Sequence, residues 1–109
     1  MTPASKLVEK VTKDKLRALI SLLETHPIHK ASRLSKKVTG VSLHRSKCQK
    51  IYDLHFENNS KHSVSWTSEQ VFKNAEFNDI ITLIKERSSD EITDFIYHHW
   101  RRFEKMKKE

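Results

Sequence analysis

One glycine, two prolines and one cysteine are all that this 109-residue sequence holds of those three residue types. Each scarcity excludes something. A β-sandwich or barrel needs turn-formers about every 8 to 12 residues, and three glycines and prolines cannot supply them. A lone Cys48 cannot close an internal disulfide, so a secreted disulfide scaffold is excluded. No run approaches the roughly 20 apolar residues that a membrane-spanning helix requires. The first residues lack the apolar stretch of a signal peptide, because Lys6, Glu9, Lys10, Lys13 and Asp14 interrupt it. A soluble, intracellular protein is expected. The length admits one small domain and rules out a two-domain enzyme.

Acidic residues are also missing from one long stretch. Residues 26–50 carry seven bases (Lys30, Arg33, Lys36, Lys37, Arg45, Lys47, Lys50) and no Asp or Glu. Residues 53–96 reverse the balance, with nine acids against four bases, and the last nine residues return to a net +3. The overall charge of +7 is therefore segregated along the chain. An excess of this kind favours an anionic partner, whether nucleic acid, an acidic protein surface or anionic lipid.

What is present is helical periodicity. Leu16, Leu19, Ile20 and Leu23 predict a helix over about 12–25, with Leu7, Val8 and Val11 adding an earlier turn. Pro27 ends it by disfavouring helical geometry at His26. Ile28, Ala31, Leu34 and Val38 line a second helix stopped by Gly40. Ser42 is placed to cap a third, running to about Leu54. Residues 52–66 also read as a short hairpin about the polar Asn58-Asn59-Ser60. Phe77, Ile80, Ile81 and Ile84 mark a helix to about Arg87. Ser88 and Glu91 then have capping-box spacing for a last helix along Ile92, Phe95, Ile96, His99 and Phe103. The expected fold is an all-α bundle of five or six helices packed as one unit over 1–109. Trp66, Phe72, Phe77, Phe95, Trp100 and Phe103 are expected in its core.

Two stretches carry functional expectations. The segment Leu34-Ser35-Lys36-Lys37-Val38-Thr39-Gly40-Val41-Ser42 resembles the turn of bacterial-type helix-turn-helix proteins. With its flanking helices it makes 12–54 a basic, helix-turn-helix-like half. In such a unit the third helix offers side chains to the major groove. Arg33, Lys36, Lys37, His44, Arg45, Lys47, Gln49 and Lys50 are then the candidate nucleic-acid contacts. Arg and Gln suit base edges and Lys suits phosphate. The same residues also read as a solvated basic face on a structural helix.

In the second stretch, Val64-Ser65-Trp66-Thr67-Ser68-Glu69 opens a segment that closes in Phe95-Ile96-Tyr97-His98-His99-Trp100-Arg101-Arg102. Residues 64–103 resemble the SANT/Myb-like domains of chromatin and transcription proteins, which makes 64–107 the second half of the unit. The resemblance implies three helices, a nuclear setting and a role in transcription regulation or in a chromatin-modifying complex. Its partner is double-stranded DNA or chromatin, with Arg101, Arg102 and Lys105 as a further backbone contact. It equally implies the alternative of a protein-interaction module. In that reading the acids Asp90, Glu91 and Asp94 take a histone tail or a partner subunit.

Other chemistries find little footing. Structural zinc uses closely spaced Cys pairs, and His26/His29 or His44/Cys48 are poor substitutes, so no metal or cofactor is expected. Cys48 beside His44 or His55 has the makings of a nucleophile and base, but it equally reads as a small buried thiol, and no enzyme activity is expected. The basic segment lacks the large apolar side chains of a membrane-surface helix. RNA binding would want exposed aromatics there, and Tyr52 alone offers itself.

Overall fold

The computed structural model describes residues 3–100 and Arg102. It consists of five helices: α1 (Pro3–Thr25), α2 (Ile28–Thr39), α3 (Arg45–His55), α4 (Val64–Lys73) and α5 (Asn78–His98). Short 3₁₀ turns at Glu57–Asn59 and Ala75–Phe77 flank α4. No strand occurs among the described residues, and no helix among them is long and apolar enough to cross a membrane.

α1 touches all four other helices and is the axis of the fold. Its stripe of Leu16, Leu19, Ile20 and Leu23 is buried. It meets Ala31, Leu43, Cys48, Ile51, Val71, Phe77, Ile80, Ile81 and Ile84 in one cluster. Pro27 separates α1 from α2 and stands as the N-cap of α2. Gly40 ends α2 in the left-handed conformation, φ +83°, with its N–H donating to the Lys36 carbonyl. A Cβ at that position would sit 2.6 Å from Arg87 Cγ of α5, so glycine is wanted for space as well as for φ.

The link from α2 to α3 doubles back. The Ser32 hydroxyl donates to the Leu43 carbonyl (2.6 Å), and the Leu43 N–H donates to the Ser35 hydroxyl (2.9 Å). Thr39 Oγ1 lies 2.9 Å from the Val41 carbonyl. Leu43, five residues after Pro27's helix has passed Val38, is thus held level with the middle of α2. α3 begins there rather than at the end of α2. A helix-turn-helix joins its helices by a turn of about three to four residues, so this returning link departs from that pattern. It also moves the cap: Ser42 is exposed, and His44 Nδ1 accepts from the Ser46 N–H instead (3.1 Å).

The expected hairpin is absent. The Phe56 N–H donates to the Tyr52 carbonyl and finishes α3, while Ser63 Oγ accepts from the Trp66 N–H and commits Val64–Trp66 to α4. Between them lies a polar clamp. The fully buried ring of His55 places Nδ1 2.5 Å from Thr67 Oγ1 of α4 and Nε2 2.9 Å from Glu24 Oε1 of α1. Lys61 Nζ donates to the second carboxylate oxygen of Glu24 at 3.2 Å. The hydrogen bond from His55 and the nearby Lys61 hold the Glu24 carboxyl below its ordinary range, against the opposing effect of burial.

The break expected at Ser88 does not occur either. α5 runs unbroken through it, and Ser88 is buried inside the bundle with no hydrogen-bond partner for Oγ among the described residues. The last two helices implied by the SANT/Myb resemblance are one helix here. Keeping the face Ile80, Ile81, Ile84, Ser88 continuous against the core outweighs a local capping signal. Glu91 turns outward to Lys15 and Arg87.

α1 and α5 run antiparallel. The core uses the later part of α1 (Leu16–Leu23) and the earlier part of α5 (Phe77–Ser88), and Lys15 pairs with Glu91 where both leave it. Residues 3–11 and 92–98 therefore project from the same end as a two-helix arm. The Cα radius of gyration is 16.0 Å and the extents are 57 × 26 × 21 Å. A compact domain of about 100 residues measures about 13 Å, so the molecule is elongated. The expected core is corrected as well, because Trp66, Phe95 and Trp100 are 37%, 57% and 51% exposed. Phe77 is buried and Phe72 partly so; Phe103 lies outside the described residues.

Candidate nucleic-acid interface

α2 sorts its side chains cleanly. Ala31, Ser35 and Thr39 face the core. His29, Lys30, Arg33, Lys36 and Lys37 are exposed and, at about 100° per residue, share an arc of about 120°. From Lys30 to Lys37 the stripe advances about 10 Å. Arg45, at the start of α3, adds to it. The doubled-back link brings Arg45, Ser46 and Gln49 beside Ile28 and His29, and these five line a shallow cleft of about 410 Å³.

Ion pairing decides which cations are free. Lys30, Arg33, Lys36, Lys37 and Arg45 have no carboxylate partner among the described residues. The rest of the predicted α3 set is engaged. Lys47 Nζ is paired with Asp79 of α5. That hydrogen bond holds the Asp79 carboxyl below its ordinary range, offset in part by desolvation and supported by the Ile80 N–H. Lys50 Nζ donates to the Glu76 carbonyl (3.1 Å) and lies 5.6 Å from the centre of the Phe77 ring. Gln49 Nε2 donates to Asp53 Oδ1 (2.8 Å), and His44 is occupied as a cap.

The flank of α3 is also acidic. Asp53, Glu57 and Glu76 line the cleft next to Lys50. A phosphate approaching there meets carboxylates, whereas α2 carries none itself and has Glu91 of α5 near its Gly40 end. Lys30 was not among the predicted contacts. Its place three residues before Arg33 and seven before Lys37 is the signal that identifies it.

The remaining candidates lie apart. Arg102 is exposed, while Arg101 and Lys105 fall outside the described residues. Of the alternative acidic set, Glu91 is paired with Lys15 at 2.8 Å and Arg87 at 3.5 Å, leaving Asp90 and Asp94 exposed without ion pairs among the described residues. Cys48 is fully buried, and burial pushes its thiol up, which keeps it protonated. No group of three or more His, Cys, Asp and Glu is placed to hold a metal among the described residues.

Comparison with protein-family models, with curated proteins and with solved structures gives no match.

Proposed function

We propose that this chain is a non-enzymatic DNA- or chromatin-binding domain of a transcription regulator or chromatin-modifying complex, acting in the nucleus, with α2 as its principal contact surface. The observation that carries the reading is the set of five exposed cations, Lys30, Arg33, Lys36, Lys37 and Arg45, with no carboxylate partner among the described residues. Holding like charges on one helical face without counter-charges is unfavourable in isolation and is relieved by an anionic polymer. Four of the five point to phosphate anchoring along a duplex backbone. Arg45, beside Gln49, is the one side chain of this set that starts a helix and has the reach to read a base edge. The chromatin setting comes from the sequence resemblance of residues 64–103 alone, since α5 joins what that resemblance makes two helices.

The test is fluorescence anisotropy with a labelled random-sequence duplex across a range of salt. Five neutralised phosphates give a log–log slope of about −4.5, at roughly 0.9 per contact. Absence of binding at about 50 mM salt, where such contacts are strong, would end the proposal.

A second reading rests on Asp90 and Asp94, one turn apart on α5 and without ion pairs among the described residues. In it the chain docks a basic histone tail or partner subunit through these acids. A basic peptide whose binding fails on Asp90→Lys/Asp94→Lys would favour it.

A further inference from the structure

α5 ends in a cluster of rings that the bundle core does not use. At about 100° per residue, Tyr97 stands nearly opposite the buried stripe of Ile81, Ile84 and Ser88, and it is 78% exposed. Trp100, three residues on, is 51% exposed. Tyr97, His98, His99, Trp100 and Arg102 together line an open cleft of about 740 Å³. The Tyr97 and His98 rings meet edge to face, with centroids 5.7 Å apart. His98 and Arg102 are exposed as well, and no carboxylate lines the cleft among the described residues.

Aromatic side chains stabilise a fold by burial, so packing does not account for an indole and a phenol held in solvent beside an arginine. Flat rings accept three kinds of occupant: an aliphatic surface, a cation or another flat ring. An aliphatic surface would strip water from the Arg102 guanidinium and the two imidazoles and give them no partner. A cation, which rings alone would hold, is repelled by Arg102. A flat ring carrying an anion suits both features at once, because the base stacks while the guanidinium takes the phosphate. We infer that this cleft binds single-stranded nucleic acid, with Tyr97 and Trp100 as its stacking faces and Arg102 as its phosphate contact. A duplex keeps its base faces inside the stack, so the cleft selects unpaired strand over double helix. Every base has a π face, so the binding tolerates sequence. The cleft shares no residue with the α2 stripe, and it stands or falls apart from the duplex reading.

The test uses the full chain carrying Trp66→Phe, which leaves Trp100 as the only tryptophan. Its emission is followed as oligothymidylate or oligouridylate of about ten nucleotides is added at about 50 mM salt. The expected result is saturable quenching, half complete at about 1–100 µM, the range of non-specific binding. Tyr97→Ala should weaken it at least about fivefold, and Arg102→Ala should lower its salt slope by about 0.7. Far-UV circular dichroism should stay unchanged in both, because neither side chain lies in the core. Quenching by either strand supports the inference, and the strand that binds more tightly names the source. Replacing Lys30, Arg33, Lys36 and Lys37 by Ala should leave the quenching in place. No quenching by either strand up to about 500 µM, well beyond the non-specific range, overturns the inference. So does quenching indifferent to Tyr97→Ala, quenching abolished by the α2 replacements, or quenching by a trimethyl-lysine peptide but by neither strand.

Discussion

Glu24→Gln isolates the polar clamp that joins α1, α3 and α4. His55 Nε2 lies 2.9 Å from Glu24 Oε1 and Nδ1 2.5 Å from Thr67 Oγ1, so both ring nitrogens have a partner. Gln keeps the shape and one acceptor but loses the charge. A buried hydrogen bond to a charged group contributes about 1.5–3 kcal/mol and a neutral one about 0.5–1.5. The partly exposed pairing with Lys61 adds little. The variant should therefore lose about 1–2 kcal/mol at neutral pH, lowering Tm by about 5–15 °C in a domain of this size.

The pH dependence separates charge from shape. Glu24 ionises more readily in the folded chain than an unperturbed glutamate does. Its contribution is then complete above the unfolded pKa and is lost as pH falls through the folded one. Calorimetric Tm values for wild type and variant should differ at pH 7 and converge well below pH 4.5. Equal Tm values at pH 7, or a gap that persists undiminished in acid, would refute the account.

Replacing Lys30, Arg33, Lys36 and Lys37 by Ala should flatten the salt slope of duplex binding by about 0.9 per residue, as read by anisotropy. Lys47→Ala should leave that slope nearly unchanged, because its ammonium is already paired with Asp79; urea melts should show a loss of no more than about 1 kcal/mol for this partly exposed pair. Thr67→Val removes the hydroxyl facing His55 Nδ1 and should cost about 1–3 kcal/mol by the same melts. Gly40→Ala places a Cβ at φ +83° against Arg87 and should cost about 1–2 kcal/mol from the backbone alone.

Helix identity was legible wherever an apolar stripe met a local stop. Leu16 to Leu23 before Pro27, and Ile28 to Val38 before Gly40, announce α1 and α2 with their ends. The start of α3 was not legible, because hydroxyls of Ser32, Ser35 and Thr39 reach across to residues 41–43 and carry the chain back along α2. Ser88 misled for the opposite reason: a sound local cap signal lost to the need for one unbroken buried face. Phe95 and Trp100 look like core by type, yet both are about half exposed, beyond the part of α5 that faces the bundle core. For the candidate interface, the α2 stripe follows from spacing alone. The withdrawal of Lys47 and Lys50 does not, since Asp79 and Glu76 lie more than twenty residues away and only the fold brings them near. Likewise no pattern foretells that His55 sits between Glu24 and Thr67.

α5 is one helix in two environments. Its amides from Ile80 to Ser88 sit in the sealed bundle and should exchange with solvent deuterium only when the whole domain opens. Those from Phe95 to His98 open by local fraying at far smaller free energy. A single 21-residue helix thus spans nearly the full range of protection the molecule has, graded along its length. That gradient makes the helix its own reporter: anything that settles on the arm slows exchange at its far end while the core end keeps its rate.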